Sequence, residues 1–384
     1  MKKNLIALAI FGAFSGAALA QSNVTLYGII DVNFQYNDPD CTTTPTNNCA
    51  STRGINSGHQ SGSRWGVRGV EALSPGLNAV FTLEGGYAPD LGTQLQGGRL
   101  FGRQAWAGLS GGWGTLVAGR VATFSSGTGS FDMIGNFDPF LTGFGDASAG
   151  STFLSAGALR LDNSILYASP TWGGFKFGAG YSFNGNGTEG AGSGNNNRVA
   201  FFGASYTGGP FWAAVTYDVI DINDAGIPGS PAVFPNASDQ KNLQIGATFD
   251  LKFLKIHGGY AKEDNVVFNS GLGVVGTAGE DADAWLAGVT VPLGGGSLLA
   301  SYQRRNGDPV NVCTGAFVPA TNGCSVALTS READRDVWAI GYSYPLSRRT
   351  NLYVNYSDSD GEKFLNNNVG IDRKQYTVGM RHLF

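Results

Sequence analysis

An all-β fold, a transmembrane antiparallel β-barrel of sixteen strands, is what this sequence predicts, and three observations predict it. Segments of about ten residues alternate apolar and polar side chains from Val24 to the terminal Phe384. Short Gly/Pro turns and longer polar stretches separate these segments in alternation. Nothing downstream of residue 20 offers the run of about 18 apolar residues that a membrane helix needs. Backbone groups in hydrocarbon must be satisfied within the protein, so helices and closed barrels are the two spanning solutions, and the alternation selects the barrel.

Residues 1–20 read as a secretory signal peptide. Lys2 and Lys3 precede an apolar run, and Ala18-Leu19-Ala20 supplies a small-residue cleavage end. The remaining chain, residues 21–384, has one texture and no Pro- or Ser-rich linker, so it is expected to form one domain. Loss of the two signal lysines takes the formal charge from −4 to −6, an acidic balance that gives no basis for nucleic-acid binding. Glycine, at 59 residues, is roughly twice as frequent as in an average chain. Turns, barrel corners and close backbone approach are its expected uses.

The first strand sets the rule. Val24, Leu26, Ile30, Val32, Phe34 and Tyr36 share one face, and Thr25, Asp31, Asn33 and Gln35 the other. A soluble sandwich would show the same alternation, but here aromatics recur on the apolar face near strand ends, as an interfacial girdle requires. Seven tight connections follow, at 73–76, 111–112, 169–173, 207–210, 250–253, 292–296 and 345–348. Eight longer polar stretches lie between them, at 37–60, 89–97, 122–159, 185–196, 221–239, 264–281, 306–334 and 359–371. Seven short and eight long connections join sixteen strands. In the last strand Tyr376, Val378, Met380, His382 and Phe384 oppose Arg373, Gln375, Thr377, Gly379 and Arg381.

One stretch breaks the pattern. Residues 121–159 carry Asp132, Asp138 and Asp146 as their only charges, with Arg120 and Arg160 on either side. Its phenylalanines (Phe124, Phe131, Phe137, Phe140, Phe144 and Phe153) argue against disorder, so the segment is expected to fold inward and pack.

Cys41 with Cys49, and Cys313 with Cys324, form two local pairs in polar segments of an exported chain and read as loop-tying disulfides. Their spacings do not match zinc sites, and His59, His257 and His382 lie far apart in sequence, so no metal or cofactor is expected. Two G-x-G-x-x-G matches, at 185–190 and 271–276, fall in polar loops and do not lead from a buried strand into a helix. The chain has no G-x-S-x-G or HExxH motif, so an enzyme is not expected.

The segments VTLYGIIDV, SRWGVRGVEALSPGLNAVFTLE, FGRQAWAGLSGGWGTLVAGR, NSILYASPTWGGFKFGAGYS and YTVGMRHLF together resemble the general diffusion porins of Gram-negative outer membranes, most closely the beta-proteobacterial type. That resemblance implies a sixteen-stranded barrel in the outer membrane that passes small hydrophilic solutes and ions passively. It further implies assembly as a homotrimer among outer-membrane lipid and lipopolysaccharide, and a third loop bent into the lumen as a constriction. A terminal strand with Tyr376 and Phe384 resembles the family's signal for the barrel-assembly machinery. A solute-specific channel is the alternative reading.

A constriction needs charge on the wet face of the wall. Arg64 and Arg68 lie four residues apart on one face, opposite Trp65 and Val67, and Arg103 shares a face with Ala105 and Ala107. Residue by residue, Arg64, Arg120 and Arg160 match the family's basic ladder, with Arg68 and Arg103 as further lumenal candidates. Asp132, Asp138 and Asp146 are the candidates for the acidic loop wall, although the Pro-Glu-Phe-Gly-Gly loop motif of enterobacterial porins is absent. The alternative reading of each arginine is a solvated charge on a polar interior.

Overall fold

A computed structural model describes residues 23–39, 50–141, 143–147, 160–185, 187, 196–221, 239–266, 280–308, 310–313, 317–318, 323–324, 328–331, 334–361 and 372–384. Side chains of Asp146, Val266, Glu280 and residues 310–331 fall outside that set. So do the signal segment, Cys41 and Cys49, together with the side chains of Cys313 and Cys324.

Sixteen antiparallel wall strands close into a barrel among the described residues. They are β1 (Asn23–Pro39), β2 (Thr52–Ser57 and Arg64–Ser74, interrupted at 58–63), β3 (Leu77–Ala88), β4 (Gln104–Gly111), β5 (Gly114–Ala122) and β6 (Arg160–Ala168). There follow β7 (Phe175–Ser182), β8 (Arg198–Gly208), β9 (Phe211–Asp221), β10 (Gln240–Asp250) and β11 (Lys255–Val266). The wall ends with β12 (Glu280–Leu293), β13 (Gly296–Gly307), β14 (Arg335–Pro345), β15 (Thr350–Gly361) and β16 (Arg373–Leu383). Each strand pairs with its neighbours in sequence, and β1 pairs with β16 from Ile29↔Leu383 to Pro39↔Arg373.

The seam is finished by the last residue. Phe384 and Gly28 exchange backbone hydrogen bonds of 3.0 Å in both directions. A Cβ placed on Gly28 would lie 2.2 Å from Cζ of the Phe384 ring, so the terminal aromatic needs glycine opposite it.

All seven tight turns stand where the sequence puts them. The long connections differ in extent. Within 37–60, expected as loop, residues 37–39 and 52–57 are strand, because β1 runs on to Pro39 and Thr52–Ser57 pairs beside it. Polar residues there bring both faces to water, so the alternation fades while the ladder continues. The connection expected at 89–97 runs on to Arg103 because β4 begins only at Gln104.

The faces are those of a membrane barrel. Exposed large apolar side chains, Val24, Leu26, Phe34, Val215, Ile245, Leu352, Val354 and Val378 among them, line the outside. Buried polar ones, such as Asn33, Thr82, Thr216, Gln244 and Asn355, line the inside. Aromatics gather at two levels of the outer face. Toward the long loops Tyr36, Tyr376, Tyr356 and Trp338 follow one another at ring separations of 6.0, 4.8 and 4.9 Å. Toward the tight turns stand Trp113 on Tyr167, and Phe175 against Tyr206. These are the belts that amphipathic rings form at a lipid–water boundary.

Candidate functional site: the lumenal loop and the basic wall

The third long connection, hereafter L3, leaves β5 at a β-bulge between Gly119 and Val121 and turns inward. Gly119 has φ +134°, and a Cβ there would stand 2.3 Å from the Ala105 carbonyl oxygen, so glycine is required at the bend. From that point L3 travels around the inner wall. Phe124, Phe131 and Met133 pack with Trp106, Val117, Leu166 and Phe201 on β4–β8. Ile134 and Phe137 pack with Ala214, Ala261, Ala284 and Leu286 on β9–β12. Phe140, Phe144 and Ala147 pack with Leu299, Ala339 and Tyr353 on β13–β15.

Wall glycines receive these rings. A Cβ on Gly178 would meet Phe124 at 2.3 Å, one on Gly246 would meet Phe137 at 2.4 Å, and one on Gly259 would meet Phe137 at 2.3 Å. Gly288 lies in the same way under Pro139, at 2.6 Å, and Gly341 under Phe140, at 2.9 Å. The described part of the loop reaches residues 58–60. Phe144 donates its N–H to the His59 carbonyl, and its ring meets those of His59 and Tyr353 edge-on. Gln303 Nε2 donates to the Ala147 carbonyl at 2.8 Å. The hydrophobic effect holds this loop through aromatic rings that have left water, so it is a fixed part of the bore.

Facing its first half is a basic wall. Arg64 lies within electrostatic reach of Arg103 and Arg381, and Arg160 within reach of Arg103, Arg120 and Arg64. Four of the five arginines singled out from the sequence therefore converge on β2–β6. Arg68, further toward the tight turns, stacks over the Tyr27 ring at 5.1 Å.

The family model for Gram-negative porins matches residues 5–363. The chain belongs to the Gram-negative porin family. Similar proteins include an outer membrane porin of Bordetella pertussis, 34% identical with all of both chains covered. Outer membrane porin protein 32 of Delftia acidovorans is 30% identical over 92% of this chain and 88% of its own. Among solved structures, an anion-selective porin from Comamonas acidovorans has the same fold, with a TM-score of 0.69 and 24% identity over 95% of this chain and 100% of that one. The porin is therefore a protein of the Gram-negative outer membrane, and its barrel is a channel.

Carboxylates divide the porin's arginines into two groups. Glu84 holds Arg103 Nε at 2.7 Å in a buried pair, and Arg103 Nη2 also donates to Thr128 of L3 at 2.9 Å. Asp162 holds Arg120 Nη1 at 2.6 Å and Arg99 Nη1 at 2.8 Å, while Arg120 Nε donates to the Gly102 carbonyl. Arg64, Arg68, Arg160 and Arg381 form no ion pair among the described residues. Arg64 donates to the Gly62 carbonyl, and Arg381 to Asn351 and Ser61.

The expected route to the lumen differs for two residues. Ala105 and Ala107 point outward with Leu109, whereas Gln104 and Trp106 face the lumen. Arg103 is inside because it precedes the first residue of β4, where strand parity does not apply. Arg120 falls in step with outward Leu116 and Ala118, and its guanidinium folds to Gly102 and Asp162 at the bulge.

Asp132 and Asp138 of L3 accept hydrogen bonds from the loop's own backbone. Asp138 is 1% exposed and accepts from the Phe140 N–H at 2.8 Å. Asp132 accepts from the N–H groups of Ile134 and Gly135, at 3.3 and 3.0 Å. Burial pushes its pKa up to about 6 against the pull of these bonds. Asp146 lies in the short helical turn Gly145–Ala147, and its side chain is outside the described residues. Sequence reasoning missed Glu84, Asp162 and Arg381 as partners in the site. All three lie on wall strands, and Arg381 was already on the wet face of β16 by alternation.

Proposed function

We propose that this porin is a general diffusion channel for small hydrophilic solutes and ions, with a preference for anions. One observation supports the reading: beside the inward loop lie guanidinium groups of Arg64, Arg160 and Arg381 that form no ion pair among the described residues. The loop's Asp132 and Asp138 are turned into its own backbone, which leaves the passage locally positive although the whole chain is acidic. A Debye length of about 8 Å at physiological salt is comparable with half the width of a narrow pore, so such a row governs the passage electrostatically. The anion-selective character of the Comamonas acidovorans porin accords with this reading.

In its finished form we expect a homotrimer set among lipopolysaccharide, freed of residues 1–20 on export. Its loops would be tied by Cys41–Cys49 and Cys313–Cys324 bonds, and Tyr376 and Phe384 would be read by the barrel-assembly machinery. No catalytic role is proposed. Planar-bilayer recording under a salt gradient tests the channel. A reversal potential of anion-selective sign is expected, and it should move toward neutrality in the combined Arg64→Ala, Arg160→Ala, Arg381→Ala variant. An unchanged potential would remove these residues from the constriction, and saturable block by one solute would favour a solute-specific channel.

A further inference from the structure

Behind the root of L3, three inward side chains on neighbouring strands carry polar atoms with no hydrogen-bond partner. Asp218 of β9 is 0% exposed. Its Oδ2 accepts from the Ser125 hydroxyl of L3, and its Oδ1 accepts from nothing. Asn242 of β10 stands directly opposite Asp218 in the ladder, is 1% exposed, and has neither Oδ1 nor Nδ2 engaged. Thr216, on the same face as Asp218, is 1% exposed and has an unpartnered hydroxyl. Among the described residues no Lys, Arg or His pairs with Asp218, and the neighbouring acid across Asn242, Glu263, is already paired with Arg305 at 3.1 Å.

A carboxylate removed from water needs a counter-charge or a proton, and a buried amide needs partners for both of its ends. Side chains directly opposite on paired strands have Cβ atoms about 4.5–5.5 Å apart, so an acid oxygen and an amide oxygen there can share one ion. The donor set is a carboxylate, an amide carbonyl and a hydroxyl, which are hard oxygens of the kind calcium takes at about 2.3–2.6 Å, with water completing its shell.

We propose that the buried polar cluster between the root of L3 and strands β9 and β10 binds a calcium ion through Asp218 Oδ1, Asn242 Oδ1 and Thr216 Oγ1. The ion neutralises Asp218 and, through the Ser125 hydrogen bond, fastens the beginning of L3 to the wall. The site stands apart from the arginines of the bore and does not depend on the channel's ion preference.

The test is calorimetric titration of calcium chloride into the full mature protein, folded in detergent and freed of divalent ions by a chelator. One site per chain is expected. Asn242→Asp adds a ligand charge and should tighten binding at least about tenfold, while Asp218→Asn and Asn242→Leu should abolish it. Asp358→Asn, half-buried near the end of β15, should leave it unchanged. If Asp218→Asn does not fold, the affinity of Asn242→Asp still decides. Absence of the site in the wild type, or identical binding in Asn242→Asp and Asn242→Leu, would overturn the proposal, as would an infrared band of protonated Asp218 at neutral pH with calcium present.

Discussion

Arg103 and Arg64 are both inward arginines, yet their substitution should do different things. Arg103 is bonded to a buried Glu84, so Arg103→Ala leaves an uncompensated carboxylate at a cost of about 3–5 kcal/mol. Arg64 forms no ion pair among the described residues, and Glu84 keeps its bond to Arg103 when Arg64 is removed. Arg64→Ala should therefore lower anion preference at nearly unchanged stability. Arg103→Ala should lower the temperature at which the barrel loses its compact mobility on detergent gels. Paired measurement of reversal potential and that transition separates a charge that acts on ions from one that holds the wall.

Asp132 gives a prediction in pH. Its folded pKa, at about 6, lies above the ordinary carboxylate value of 3.8, so the folded loop holds the proton more tightly than the unfolded chain. Stability from this group is therefore full below the ordinary value, falls as pH rises through this interval, and stays low above about 6. Asp132→Asn should remove that slope and make the protein more stable at neutral pH. A thermal-unfolding series between pH 3 and pH 8 checks it, starting from roughly one unit below the lower acid constant.

At the scale of elements, L3 and its glycine sockets form one device. Filling a socket should push the loop into the bore. Gly259→Val, which places carbon where the Phe137 ring lies, is expected to reduce single-channel conductance and to cost about 1–3 kcal/mol by overpacking. Phe137→Ala should empty the socket and loosen the loop. A conductance of wild-type size in Gly259→Val would show that Phe137 can move aside without narrowing the passage.

How much of this was legible in the sequence follows from the same residues. Alternation survives any tertiary arrangement, so Val354 and Asn355, or Thr216 and Val215, disclose their faces at once. The phenylalanines of L3 likewise disclosed that the loop must pack. The sockets were not legible, because Gly246 or Gly259 in a strand looks like any other strand glycine until Phe137, more than a hundred residues away, is laid upon it. Parity also misled at Arg103, where alanines small enough for either face offered no check. The fate of Asp132 and Asp138 was hidden for another reason. Whether a carboxylate faces a pore or its own backbone depends on turn geometry that residue type does not encode.

At the scale of the whole molecule, closure rests on the last residue. Deletion of Phe384 removes two backbone hydrogen bonds to Gly28 and the ring that fits over it, and should sharply reduce the yield of assembled barrel. Counting heat-resistant protein in membranes checks this, and Gly28→Leu should share the defect because it denies the ring its place.

The route of L3 around the wall also implies a chronology of maturation. Its tail needs β13–β15, surfaces that exist only after the chain has been threaded through most of its length. The loop's last aromatic contacts should therefore form late, when the finished cylinder offers it somewhere to lie.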